Sequence, residues 1–183
     1  MGIRRETKAR LTAFGLAAAV VATLASSTVP AVGGPKEDEK LSRQLAEVRR
    51  ATARYHRLEV ALADGYIPFG DPLPCVENPG VGAMGYHYYN PTLLFDGVLD
   101  PTRPELLVYA PSGNGVRLGA VEYMMPLSTW NSTEAPNLFG KPFDGPMAEH
   151  EPNTSGVHYD QHAWVWADNP AGVLATWNPS VGC

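Results

Sequence analysis

Between Asp38 and Ala63 the chain contains no proline or glycine, whereas from Gly65 onward these residues interrupt it at short intervals. The first stretch can hold one long helix and the second cannot. Within it Leu41, Leu45, Val48, Thr52, Tyr55 and Leu62 recur at helical spacing with charges between them, the pattern of an amphipathic helix. Asp64-Gly65 closes it, glycine taking the left-handed position past the last turn, so a helix is predicted over residues 38–64. His56, set among Arg54, Arg57 and Glu59, falls on the polar face.

Beyond Gly65, Asn-Pro pairs at residues 78, 90, 169 and 178 mark turns or strand ends. Between the breaks lie short aromatic or β-branched runs, at residues 84–89, 106–110, 116–125, 157–166 and 173–177. This spacing predicts an α+β fold: one long N-terminal amphipathic helix packed on a mainly antiparallel β-sheet or small barrel. The β-rich body would span residues 66–183, within a single globular domain over 32–183.

The first 31 residues have another character. Arg4, Arg5, Lys8 and Arg10 precede an uncharged run from Leu11 to Ala25, and small residues lead to Ala31, the layout of a secretory signal peptide. The run is shorter than the about 20 apolar residues that a membrane span needs. Residues 1–31 are therefore expected to be removed, leaving no stable membrane span and placing the protein outside the cell or in its envelope. The remaining chain would carry 10 basic against 18 acidic groups, and only Arg103, Arg117 and Lys141 are basic after Gly65. Such a body is a poor match for nucleic acid. Cys75 and Cys183 form an even pair in an exported chain, so a disulfide is expected. Two free thiols acting as metal ligands is the alternative, although they lack C-x-x-C spacing.

The chemistry concentrates in "VHYDQHAWVW", residues 157–166. On a strand His158, Asp160, His162, Trp164 and Trp166 share a face. In "VRLGAVEYMM" alternation groups Val116, Leu118, Ala120, Glu122 and Met124, which puts a carboxylate in an inward, apolar position. A lone ionised carboxylate there costs several kcal/mol unless it is paired, protonated or bound to a cation. His87, in "MGYHYY", shares a face with Gly85 and Tyr89. His87, Glu122, His158 and His162 can thus be placed on one inner face as ligands to a divalent transition metal: Zn, Cu, Mn, Fe or Ni. Asp160 would support the ligands from behind, and His150 in "MAEHEP" could reach in from a loop. In an enzyme, Glu122 or Asp160 would act as base toward metal-bound water, or the metal would handle oxygen.

Two metal-free readings use the same residues. Tyr86, Tyr88, Tyr89, Trp130, Trp164, Trp166 and Trp177 could line a small-molecule or carbohydrate pocket, with Glu122 meeting a cationic or hydroxylated ligand. Alternatively the chain is a structural envelope protein docking on a partner through Arg49, Arg50, Arg54 and Arg57. Ser112 and Ser155 lack a G-x-S-x-G setting, and no P-loop or G-x-G-x-x-G is present, which disfavours serine hydrolysis and nucleotide chemistry.

Taken together, "ALADGY", "MGYHYYNP", "AVEY", "PFDGPM", "HYDQHAWVWADNPAG" and "WNPSVGC" resemble an uncharacterised family of exported bacterial proteins, over about residues 50–183. The resemblance implies a bacterial exported protein and supports pairing of Cys75 with Cys183. It implies no catalytic residue.

Overall fold

In the computed structural model, which describes Gly2 and residues 35–148 and 155–183, the proline- and glycine-free stretch folds as three helical pieces. The expected signal peptide over residues 1–31 lies outside the described residues apart from Gly2, and so does His150. Helix α1 (Pro35–Thr52) begins with a proline whose fixed φ suits a first turn. Glu37 and Asp38 stand in that turn and Arg49 and Arg50 in the last, both favourable to the helix dipole. A 3-10 turn (Ala53–His56) follows, then an extended Arg57, then α2 (Leu58–Ala63).

The break in the expected 38–64 helix has a tertiary cause. In an unbroken helix the Tyr55 carbonyl would accept from the N–H four residues on. Here the Tyr109 hydroxyl donates to it at 2.7 Å. Three residues earlier the Trp166 indole donates to the Thr52 hydroxyl at 3.1 Å, while that hydroxyl donates back to the Val48 carbonyl at 2.8 Å. The break also rotates the apolar stripe: Ala61 is fully buried and Leu62, expected inward, is 46% exposed.

The strands are β1 (Ile67–Pro68), β2 (Cys75–Asn78), β3 (Gly82–Tyr89), β4 (Leu106–Ser112), β5 (Gly115–Pro126), β6 (Asn137–Leu138), β7 (Lys141–Pro142), β8 (Asp144–Met147) and β9 (His158–Ala163). Seven form one sheet in the order β1-β3-β4-β5-β9-β8, with β2 also on β3, and β6 and β7 make a separate pair. Every pairing among the described residues is antiparallel. A short helix α3 (Pro91–Leu94) is capped by the Asn90 side chain, which accepts from the N–H of Thr92 and Leu93. The expected strand at 173–177 is instead irregular, and Asn178 makes a single bridge to Ala83.

The helical pieces cover one face of the sheet, where Leu45, Val48 and Ala61 meet Leu107, Tyr109, Val121 and Tyr123. Each large apolar side chain so buried contributes about 1.5–3 kcal/mol. The other face carries Val108, Ala120 and Trp164 in one cluster and Phe69, Leu94, Leu106 and Met124 in another. Alternation along β5 is interrupted by a bulge: Val108 pairs with Ala120 but Tyr109 pairs with Leu118, leaving Gly119 over. Val116 and Leu118, expected beside Glu122, consequently pack on the helix side. The freed Gly119 carbonyl accepts from the N–H of Trp166 at 3.1 Å and of Ala167 at 2.9 Å. Among the described residues no helix is long and apolar enough to cross a membrane.

Candidate metal centre

Register brings the chemistry of three strands together on the face away from the helices. Glu122 lies opposite His162 across β5 and β9, and opposite Leu106 across β4 and β5. His87 lies opposite Val108, which lies opposite Ala120, two residues from Glu122 on the same face. Gly85 allows this close fit, because a Cβ there would fall on the Tyr109 carbonyl, and its φ of 111° is one that other residues rarely adopt.

The Glu122 Oε2 atom is 3.3 Å from His87 Nε2 and 3.6 Å from His162 Nε2. One ligand atom from each of His87, Glu122 and His162 lies within 4.8 Å of the others. The two imidazoles are perpendicular, with centroids 5.8 Å apart. All three side chains are buried, Glu122 to 2% exposure. Donors bonded tetrahedrally to an ion at about 2.0–2.1 Å stand roughly 3.3 Å apart, so the two measured separations already suit a shared cation. Among the described residues Glu122 has no lysine or arginine in ion-pair range. Burial first, then the neighbouring Asp160 and Glu105 carboxyls, push Glu122 well above the ordinary carboxylate range. A dication bound there would reverse that preference.

His158 shares the face but not the cluster. Four residues along a strand is about 13 Å, so His158 and His162 cannot both reach one ion from β9 alone. His158 Nδ1 is 2.9 Å from the Gly156 carbonyl and 3.1 Å from Ser155 Oγ. A carbonyl only accepts, so Nδ1 carries a proton and Nε2 faces Asp160, 3.9 Å from its Oδ2. Asp160 stands between the two histidines and is pushed to about 7, chiefly by burial and then by Asp144, against the opposing pull of Lys141.

A cavity of about 450 Å³ lies beside the cluster, with His87, Glu122 and Asp160 in its wall. Of the seven aromatic residues considered for a groove, Trp177 lines this cavity. Tyr88 belongs to the core under the helices, Tyr86 faces a separate depression beside Pro111, and Trp166 packs edge-on to His56. Cys75, also in the cavity wall, is bonded to Cys183, which draws the C-terminus over this face.

Sequence reasoning missed Glu105, which is 1% exposed and whose Oε2 accepts from the Met124 N–H at 3.3 Å. Burial pushes it to about 8. The signal was present in "PELLVYA": an acid with no intervening residue before a fully apolar strand. It also missed the cavity wall, since Phe69, Met84 and Trp177 come from segments far apart in the chain.

No family model, curated protein or solved structure matches the chain. The geometry defines the class: an α+β protein whose antiparallel sheet carries a buried two-histidine, one-carboxylate cluster beside a cavity.

Proposed function

We propose that this is an exported protein holding one divalent transition-metal ion through His87, Glu122 and His162, in a setting suited to a small metalloenzyme. The observation that carries the reading is the convergence of three donor atoms from three strands in the interior, with a cavity on one side. Two imidazoles and one carboxylate suit Zn or Fe above all, and Mn, Cu or Ni as well. Such an ion, when bound, supplies a Lewis acid able to activate water or oxygen. The chain's own part is to hold the donors, exclude bulk water and present Asp160 to the cavity as a buried carboxyl able to take up a proton. His158, anchored on the Gly156 carbonyl, stands beside Asp160 with Nε2 3.9 Å from its Oδ2 and away from the three donors. A leader over residues 1–31, the family resemblance and the Cys75–Cys183 bond all agree with an oxidising, extracytoplasmic location. In the same reading the amphipathic segment after the leader is a structural brace on the sheet's far face.

Elemental analysis of untagged protein exported by a bacterial host tests the proposal. We expect close to one metal per chain in the wild type, a loss of more than about tenfold in affinity for folded His87→Ala/His162→Ala, and retention in His158→Ala. Wild-type protein that stays metal-free after incubation with Zn, Fe(II), Mn, Cu and Ni salts would falsify the reading. Loss of the metal in His158→Ala alone would move the ligand set along β9.

A further inference from the structure

The cavity wall is divided by chemistry. Phe69, Met84, Leu106, Met124 and Trp177 supply an apolar lining, while His87, Glu122 and Asp160 supply a polar end. Glu77 is the remaining charged side chain, and no lysine or arginine lines the space among the described residues. An anion entering here would lose its hydration, face acidic groups and gain no cationic side chain. Apart from any bound ion, the wall therefore selects against carboxylates and phosphates. A volume of about 450 Å³ falls in the lower part of the range of small-molecule sites. Met84 and Met124 have unbranched, polarisable side chains that mould to a ring, and Trp177 offers an aromatic surface.

We propose that this cavity binds a small neutral or cationic molecule with an aromatic or otherwise apolar body, turned so that one oxygen or nitrogen donor meets the His87, Glu122 and His162 cluster. The donor half rests on the metal reading above, and the apolar half rests on the wall alone.

The test separates the two halves. Zinc uptake by the full-length exported protein is measured by equilibrium dialysis. Benzohydroxamic acid and acetohydroxamic acid are then titrated into zinc-loaded protein by calorimetry, and phenol and benzoate into metal-free protein. Benzohydroxamic acid should bind zinc-loaded protein at least about tenfold more tightly than its ringless analogue, and neutral phenol should bind metal-free protein at least about tenfold more tightly than anionic benzoate. Trp177→Ala and Met84→Ala should each weaken benzohydroxamic acid by about three- to tenfold and leave zinc affinity within about twofold. Equal affinity for the ring-bearing and ringless acids, or benzoate binding metal-free protein as tightly as phenol, overturns the ligand class while the zinc site survives. Absent zinc uptake overturns the metal reading and the donor half with it. In that case phenol binding that is sensitive to Trp177→Ala sustains the apolar half, and no phenol binding overturns that too.

Discussion

At the scale of single residues the interior is unusual in its acids. Glu105, Glu122 and Asp160 are each about 1–2% exposed, and burial is the first cause of the upward shift in all three. For Glu105 the sign of the pH effect is direct. Its folded value of about 8 is above the ordinary 4.5, so folding favours the protonated acid. The stability it contributes is complete below about pH 4.5 and is lost as pH climbs through about 8. The size of that loss is about 3–5 kcal/mol. Guanidinium unfolding at pH 5, 7 and 9 should show the wild type weakening with pH and Glu105→Gln weakening less. Near pH 5 the variant should lie within about 1 kcal/mol of the wild type, since the amide oxygen can still accept from Met124. Parallel curves for the two proteins would sink the assignment. Glu122 was legible in the sequence because it broke an apolar strand in the middle. Glu105 left a weaker trace, because an acid beside Pro104 directly before an apolar strand also resembles a solvated strand entry.

At the scale of elements, the site depends on how closely β3 and β4 approach. Gly85 has a φ of 111° and no room for a Cβ against the Tyr109 carbonyl, whereas Gly80, at 83°, has nothing within 4 Å. Gly80→Ala should therefore cost only the backbone term, about 1–2 kcal/mol. Gly85→Ala adds displacement of β4 and should cost about 2–4 kcal/mol, with weaker metal binding because His87 is two residues further along the same strand. Thermal melts and zinc titrations of the two variants check this; equal costs would mean that β3 moves freely. The same strands explain what alternation could and could not reveal. It grouped His87, Glu122 and His162 correctly because each lies on an uninterrupted part of its strand. It misplaced Val116 and Leu118 because strict alternation was carried through Gly119, although an isolated glycine within a strand often marks a bulge. It also ran His158 together with His162, since sharing a face says nothing of distance along the strand. The helix prediction failed in the middle for a related reason: the hydroxyl and indole that break it come from Tyr109 and Trp166, more than fifty residues away.

At the scale of the whole molecule, the sheet is braced differently on its two faces. On the helix side the charges of the N-terminal segment are satisfied locally: Arg43 pairs with Glu39, Arg50 with Glu47, Arg54 with Asp64 and Arg57 with Glu59. Arg49 donates to the Val165 carbonyl at 2.6 Å. The basic strip that suggested a docking face is thus largely engaged within its own chain, although each exposed pair is worth only about 0–1 kcal/mol. On the site side, among the described residues, no helix longer than α3 covers the sheet, and the irregular C-terminal segment does that work. It is held by the Ala83–Asn178 bridge, by the Trp164 indole donating to the Ala175 carbonyl at 2.7 Å, and by Cys75–Cys183. The disulfide spans 108 positions, a separation at which the chain-entropy model gives about 4–5 kcal/mol and measured losses run about 2–5 kcal/mol. Cys75→Ser/Cys183→Ser should lose stability in that range. The proposed metal ligands His87, Glu122 and His162, held by the β3, β4, β5 and β9 ladder, should keep zinc affinity within about threefold in the variant that remains folded. Benzohydroxamic acid affinity should fall further than zinc affinity, because Cys75 and Trp177 both belong to the cavity wall and the C-terminus would no longer be tied to β2. Differential scanning calorimetry and the two titrations read these quantities separately. If zinc and ring-probe affinities fall together, the C-terminal segment supports the metal cluster itself; if only the probe weakens, the disulfide shapes the cavity and the sheet alone builds the centre.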